Sequence, residues 1–407
     1  MRDEVGARTS YGTVAMALGS TLWIQAVVAW AMLTVPVFAP SAAPDLGLEI
    51  GALGFYASIA YVGAMTGALL GGGLVARLGA IRLSQASLVV CAASVAAFVL
   101  GYWWVLALAT LVLGLGYGPT TPASSHVLSR HTPPRLMALV FSIKQTGVPL
   151  GGALAGATVP PLTLAFGWRG AALAVAAACL ASAVLIQPTR PRLDDDRSAQ
   201  EPLLRGHPLA PLRFVLGRAD LRELALTSFV FAALQQCLAV FLVAYLTAEI
   251  DFGLVAAGRV LSLALGFGIA GRILWGWLAD RLAKTKPGSS RRLLGYLSLA
   301  MAVTSIAMGL WTRDWPLAAV LIVAAGYGAT GAGWNGVLLA EVARLATPSE
   351  AGRATGGTLF VTFFGVVVAP LVFGLVARET GSLGVMFQSL GALVLVCAVV
   401  LLRPTRA

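Results

Sequence analysis

The chain has 407 residues, of which 58% are hydrophobic and 11% charged, and its mean hydropathy is +0.86. Soluble domains carry about 25% charged residues, so this composition excludes both a soluble enzyme and a disordered chain. The net charge of +11 does not point to nucleic acid, because the basic residues sit in short loops between apolar runs, where membrane topology accounts for them.

A membrane-crossing helix needs about 20 mostly apolar residues. After a polar stretch of mixed charge at 1–10, such runs fall at 13–38, 48–73, 81–101, 103–127, 136–160 and 165–187. A second set follows at 221–247, 253–279, 292–312, 315–340, 354–377 and 381–402. The runs are about twice as long as barrel strands and do not alternate in polarity. They predict an all-α integral membrane protein with two bundles of six helices. The first run is too long for a signal peptide and reads as a retained helix.

Between the two sets lies a polar stretch, predicted to be a cytoplasmic linker at 188–220 that separates bundles at 1–187 and 221–407. Its Asp194, Asp195 and Asp196 read as a solvated face. Most of the 28 Lys and Arg fall in one set of loops, including Arg77, Arg82, Arg130, Arg135, Arg281, Arg344 and Arg353; the opposite loops hold Arg169, Arg259, Arg313 and Arg378. The positive-inside rule then places both termini in the cytoplasm, in a cell (inner) membrane. Cys91, Cys179, Cys237 and Cys397 lie inside apolar runs. They have neither metal-ligand spacing nor a disulfide framework, so no metal and no cofactor is expected.

The two halves repeat each other. Gly116-Tyr117-Gly118-Pro119-Thr120 matches Gly326-Tyr327-Gly328-Ala329-Thr330, and Asp45-Leu46-Gly47-Leu48 matches Asp251-Phe252-Gly253-Leu254. A helical unit duplicated in parallel places a cavity between the copies near the membrane midplane. With Gly276-Trp277-Leu278-Ala279-Asp280-Arg281 between spans 8 and 9, the chain resembles a transporter of the major facilitator superfamily. The resemblance implies alternating access, a monomer, and a cytoplasmic gate at Asp280 and Arg281. Arg77 would belong to the matching gate of the first half, where Ala76 stands in place of the family's Asp.

Two ionisable residues lie inside predicted spans: Lys144 in span 5 and Arg272 in span 8. Such residues are costly in lipid and mark function by default. No carboxylate lies deep in any span, which favours an anionic substrate over a cationic one. Arg272-Ile273-Leu274-Trp275-Gly276 resembles the helix-8 pattern of monocarboxylate and oxalate/formate carriers. That resemblance implies that Arg272 binds the substrate carboxylate, and Lys144 is expected to supply a second positive charge from the other half. Further polar or aromatic positions expected at the cavity are Gln25, Trp30, Tyr61, Tyr117, Gln145, Gln235, Gln236, Tyr327, Trp334 and Asn335. His126 is a weak candidate for proton coupling.

Span 5 also carries Gly147-Val148-Pro149-Leu150-Gly151-Gly152. This resembles the antiporter motif of drug exporters with its proline displaced by one position. Small residues and a helix bend explain it without export. The expected function is secondary transport of a small organic anion, a monocarboxylate, across the bilayer. The alternative is a proton-coupled exporter of neutral or lipophilic compounds. A membrane enzyme is not expected, because the spans hold neither paired Asp nor a Ser/His set.

Overall fold

A computed structural model describes residues 11–46, 52–197, 207, 209–284 and 288–403. Within lipid every backbone polar group must find its partner inside the protein, and the described residues are almost wholly helical. The first bundle contains α1 (Tyr11–Leu46), α2 (Ala52–Leu78), α3 (Ala80–Ala97), α4 (Trp103–Tyr117), α5 (Thr120–His131), α6 (Met137–Gln145) and α7 (Gly147–Leu185). Two short helices, α8 (Arg190–Leu193) and α9 (Ala210–Gly217), interrupt the linker. The second bundle contains α10 (Ala219–Ala248), α11 (Leu254–Ala283), α12 (Ser289–Gly309), α13 (Leu317–Gly331), α14 (Asn335–Leu345), α15 (Ala351–Thr380) and α16 (Leu383–Leu402).

Among the described residues, eleven helical stretches are long and apolar enough to cross a membrane. One of them, 134–193, is 60 residues long, about twice what a crossing requires. It breaks at Gly167, whose φ of 70° lies in the left-handed region. Crossings 5 and 6 are therefore continuous in sequence but separate in space, which gives the expected twelve crossings.

The two halves are also fastened alike. Trp168 Nε1 and Arg169 Nη1 donate to Asp45 at 2.8 and 3.0 Å, tying the end of crossing 1 to the start of crossing 6. In the second half Glu249, at the end of α10, accepts from the Leu383 N–H and the Ser382 hydroxyl at the start of α16. Trp311, near the end of α12, packs inward. It is buried and stacks on Tyr245 with centroids 6.1 Å apart.

Of the linker's Asp run, Asp195 and Asp196 are exposed as expected, whereas Asp194 is not. Asp194 is 4% exposed, and its carboxylate accepts from the Ile81 and Arg82 N–H groups at 2.7 and 3.0 Å. It thus caps α3, where the helix has orphan donors and a positive dipole end. Gly79 permits this approach: its φ is 84° and a side chain there would overlap Asp194. Asp195 and Asp196 pair with Arg130, each at 2.9 Å. Asp196 also meets His126 Nε2 at 2.6 Å. Burial pushes the Asp196 carboxyl up, but the His126 hydrogen bond and the charges of His126 and Arg130 outweigh it and hold the group below its usual value.

Candidate functional site

Three crossings break near mid-height, and each break frees backbone carbonyls. Crossing 4 breaks between α4 and α5 at Gly118-Pro119, crossing 5 between α6 and α7, and crossing 10 between α13 and α14. Freed carbonyls buried away from water need donors. At crossing 10, Trp275 Nε1 donates to the Ala329 carbonyl at 2.8 Å and Arg272 Nε to the Ala332 carbonyl at 2.8 Å. These two side chains stand one turn apart on α11, so they present donors on one face. Arg272 then reaches across the bundle boundary, where its Nη1 donates to the Gln145 carbonyl at 2.7 Å.

Between the bundles lies a cavity of about 100 Å³. The first bundle lines it with Tyr61, Tyr117, Thr121, Gln145 and Val148, and the second with Ala232, Gln235, Gln236, Arg272, Trp334, Asn335, Leu359, Thr362, Phe363 and Val366. No carboxylate is among them. Tyr61 and Tyr117 meet Phe363 across the boundary, with centroids 5.7 and 6.3 Å apart. They make an aromatic wall shared by both bundles. Other lining residues are polar: Asn335 Nδ2 donates to Gln235 Oε1 at 3.2 Å, and Thr362 pairs with Ser228 at 2.7 Å.

Lys144 stands behind this lining, 2% exposed. Its Nζ donates to Gln25 Oε1 at 2.8 Å, Gln145 Oε1 at 3.1 Å and Thr121 Oγ1 at 3.3 Å. Gln145 and Thr121 themselves face the cavity, so Lys144 is one side chain removed from it. Among the described residues neither Lys144 nor Arg272 has an ion-pair partner; their bonds go to neutral oxygens.

Not every expected residue meets the cavity. Gln25 supports Lys144 from behind. Tyr327 is fully buried with its hydroxyl on the Leu234 carbonyl at 3.0 Å. Trp30 is absent from the lining. His126 lies on α5 against Asp196, away from the cavity. Thr121, Phe363 and the aliphatic lining residues escaped sequence reasoning, since an apolar or hydroxyl side chain in a membrane helix carries no mark of the face it occupies.

The loops rich in Lys and Arg gather at one end of the molecule, here the basic end, and the bundles are closed against each other there. Asp280 accepts from the Ala138 and Leu139 N–H groups at 3.0 and 2.7 Å, capping α6 of the opposite bundle. Arg344 Nη2 donates to Asp280 at 2.7 Å and to the Pro134 carbonyl at 3.2 Å. Ser142 sits between Gly276 and Gly336, and a side chain on either glycine would overlap it. Arg281 takes no part in this contact. It is exposed and lies over the Trp277 ring at 5.3 Å. Arg77 makes no hydrogen bond or ion pair among the described residues. Among the described residues the acid of the latch comes from the second half.

Two helical bundles that share a cavity between them have the architecture of a transporter. The chain belongs to the Major Facilitator Superfamily, whose profile it matches over residues 21–342. It is 26% identical over 374 residues to the gentisate transporter of Corynebacterium glutamicum, covering 88% of this chain and 80% of that protein. It is 23% identical over 392 residues to the hexuronate transporter of Bacillus subtilis, covering 91% and 89%. A probable sulfoacetate transporter of Cupriavidus necator is 27% identical over 380 residues, covering 88% and 86%. Among solved structures, the human organic anion transporter MFSD10 superposes with a TM-score of 0.74 at 19% identity, covering 96% of this chain and 98% of that one. At that identity the likeness concerns the fold.

Proposed function

We propose that this transporter moves a small organic anion, a monocarboxylate with an apolar or aromatic body, by alternating access. The observation that carries the reading is a pair of buried cations beside a cavity that has no acid in its lining. A buried charge without a counter-charge is expensive. An anionic substrate supplies the missing charge. Arg272, whose guanidinium lines the cavity, takes the carboxylate in this reading, because its planar fork matches two carboxylate oxygens. Lys144 adds positive potential through the first bundle. Its contacts are all neutral, so it is also the group best placed to take up or release a proton as the anion passes. The aromatic wall of Tyr61, Tyr117 and Phe363 faces the substrate's body, and Gln235, Gln236 and Asn335 offer hydrogen bonds at its far end. Relatives named for gentisate, hexuronate and sulfoacetate support an anion.

The positive-inside rule assigns the basic end to the cytoplasm. The structure then corresponds to a cytoplasm-closed state, and transport requires the Asp280 and Arg344 contacts to break as the bundles rock.

The test is counterflow in proteoliposomes with labelled gentisate, glucuronate and sulfoacetate, beside ethidium efflux. Carboxylate exchange that is lost in Arg272→Ala is expected. Ethidium efflux indifferent to all three acids would replace the reading with the exporter alternative.

A further inference from the structure

An α-helix bonds each carbonyl to the N–H four residues ahead. Four residues after Gln145 stands Pro149, which has no N–H. The Gln145 carbonyl therefore loses its helical donor, and the helix breaks there: α6 ends at Gln145, Thr146 N–H turns back to the Ile143 carbonyl at 3.0 Å, and α7 starts at Gly147. The orphaned carbonyl is the one that Arg272 Nη1 occupies from the opposite bundle at 2.7 Å. Nε is held on the Ala332 carbonyl. Two carbonyls, one from each bundle, thus fix the plane of the guanidinium. They leave its third nitrogen, Nη2, without a protein partner among the described residues, on a side chain that lines the cavity.

We propose that Pro149 is a positioning residue of the anion site: by withholding an N–H it frees the Gln145 carbonyl to orient Arg272 toward the substrate. The inference rests on the reading of Arg272 as the carboxylate-binding group. It gives the glycine- and proline-rich segment of crossing 5 a role in substrate binding instead of export. It also couples the site to the transport cycle, because the Arg272–Gln145 bond joins the two bundles and has to break when they part.

In Pro149→Ala the N–H returns and competes with Arg272 for the carbonyl. An Arg272 held at one point has more freedom to lose on binding, and ordering a long side chain weakens affinity roughly 2- to 10-fold. The experiment measures the affinity of gentisate, benzoate, glucuronate and sulfoacetate by thermal shift on purified protein. The variants are wild type, Pro149→Ala, Arg272→Ala and the double variant, which close a double-mutant cycle. The expected result is weaker carboxylate binding in Pro149→Ala and, without ligand, a smaller rise in Tm from that substitution in wild type than in the Arg272→Ala background, where the restored N–H has no competitor for the Gln145 carbonyl. A merely structural proline would shift stability without ligand by the same amount in both backgrounds and leave affinity unchanged; that result overturns the proposal alone. Carboxylate binding that survives Arg272→Ala undiminished, or no binding of any of the four acids, overturns the anion site and the proposal with it. Alanine favours the helix, so Pro149→Ala is expected to fold. Pro149→Ser restores the same N–H and provides a second measurement.

Discussion

Asp280→Asn tests whether the basic end is held shut by one carboxylate. In the structure Asp280 accepts two backbone N–H groups of the opposite bundle and the Arg344 guanidinium. Hydrogen bonds to a charged group contribute about 1.5–3 kcal/mol each. Asparagine keeps one acceptor oxygen, so roughly half of this set survives. Arg344, left with Glu341 at 3.6 Å as its carboxylate partner, also holds the Pro134 carbonyl less well. The net loss to the closed state is about 2 kcal/mol, a shift of roughly 30-fold toward the state open at the basic end. Spin labels on Arg82→Cys and Arg292→Cys report the separation of the two bundles there. Both side chains are exposed, and the native cysteines are buried and do not compete for label. In nanodiscs the variant is expected to populate a longer distance than the wild type. Identical distance distributions would refute the argument, because they would mean that glycine packing around Ser142, and not Asp280, carries the closure.

The same labels test that packing directly. A side chain at Gly336 overlaps Ser142, so Gly336→Val is expected to hold the basic end apart and abolish exchange while leaving carboxylate binding measurable by thermal shift. Phe363→Leu removes the aromatic partner of Tyr61 and Tyr117, and edge or stacked ring contacts contribute about 0.5–1.5 kcal/mol. Affinity for gentisate is expected to fall several-fold more than affinity for sulfoacetate, and equal losses would show that the wall does not discriminate. Asp196→Asn removes the carboxylate shared by His126 and Arg130. Because the Asp196 pKa is lowered in the fold, its contribution is present above the ordinary carboxylate value of about 4 and is lost as pH falls through the depressed one. The Tm gap between wild type and variant is therefore expected to be about 1–2 °C at pH 5 and to shrink progressively as pH falls below about 4; a gap with no pH dependence down to pH 2 would assign the effect to packing.

The crossings, the repeat and the two intramembrane cations were legible in the sequence because each is a local signal. Apolar run length predicts a helix, and Lys144 or Arg272 in such a run is an anomaly on its face. Partners were not legible, because they depend on how helices dock. Asp194 to Asp196 read as solvated on composition; Asp195 and Asp196 are exposed but pair with Arg130 and His126 on α5, and Asp194 is buried as the cap of α3. The reason is visible in the first half's loop after crossing 2. Gly79, just ahead of α3, leaves room for the linker's Asp194 to reach the Ile81 and Arg82 N–H groups, whereas Asp280 in the second half caps α6 of the opposite bundle. His126, chosen because histidine titrates near neutrality, has the same explanation: its position on the inner turn of crossing 4 faces the linker and not the cavity.

Pro149 is the most instructive case. Its sequence context resembles an exporter motif, and the absence of an N–H is a fact of its covalent structure that any reader of the sequence has in hand. What the sequence withholds is which side chain answers the freed carbonyl. That answer comes from the opposite bundle, 127 residues away along the chain. A motif read within one helix points to bending, whereas the same motif read across the bundle boundary points to Arg272. The two readings separate experimentally only in the double variant, since a bend acts on crossing 5 whether or not Arg272 is present.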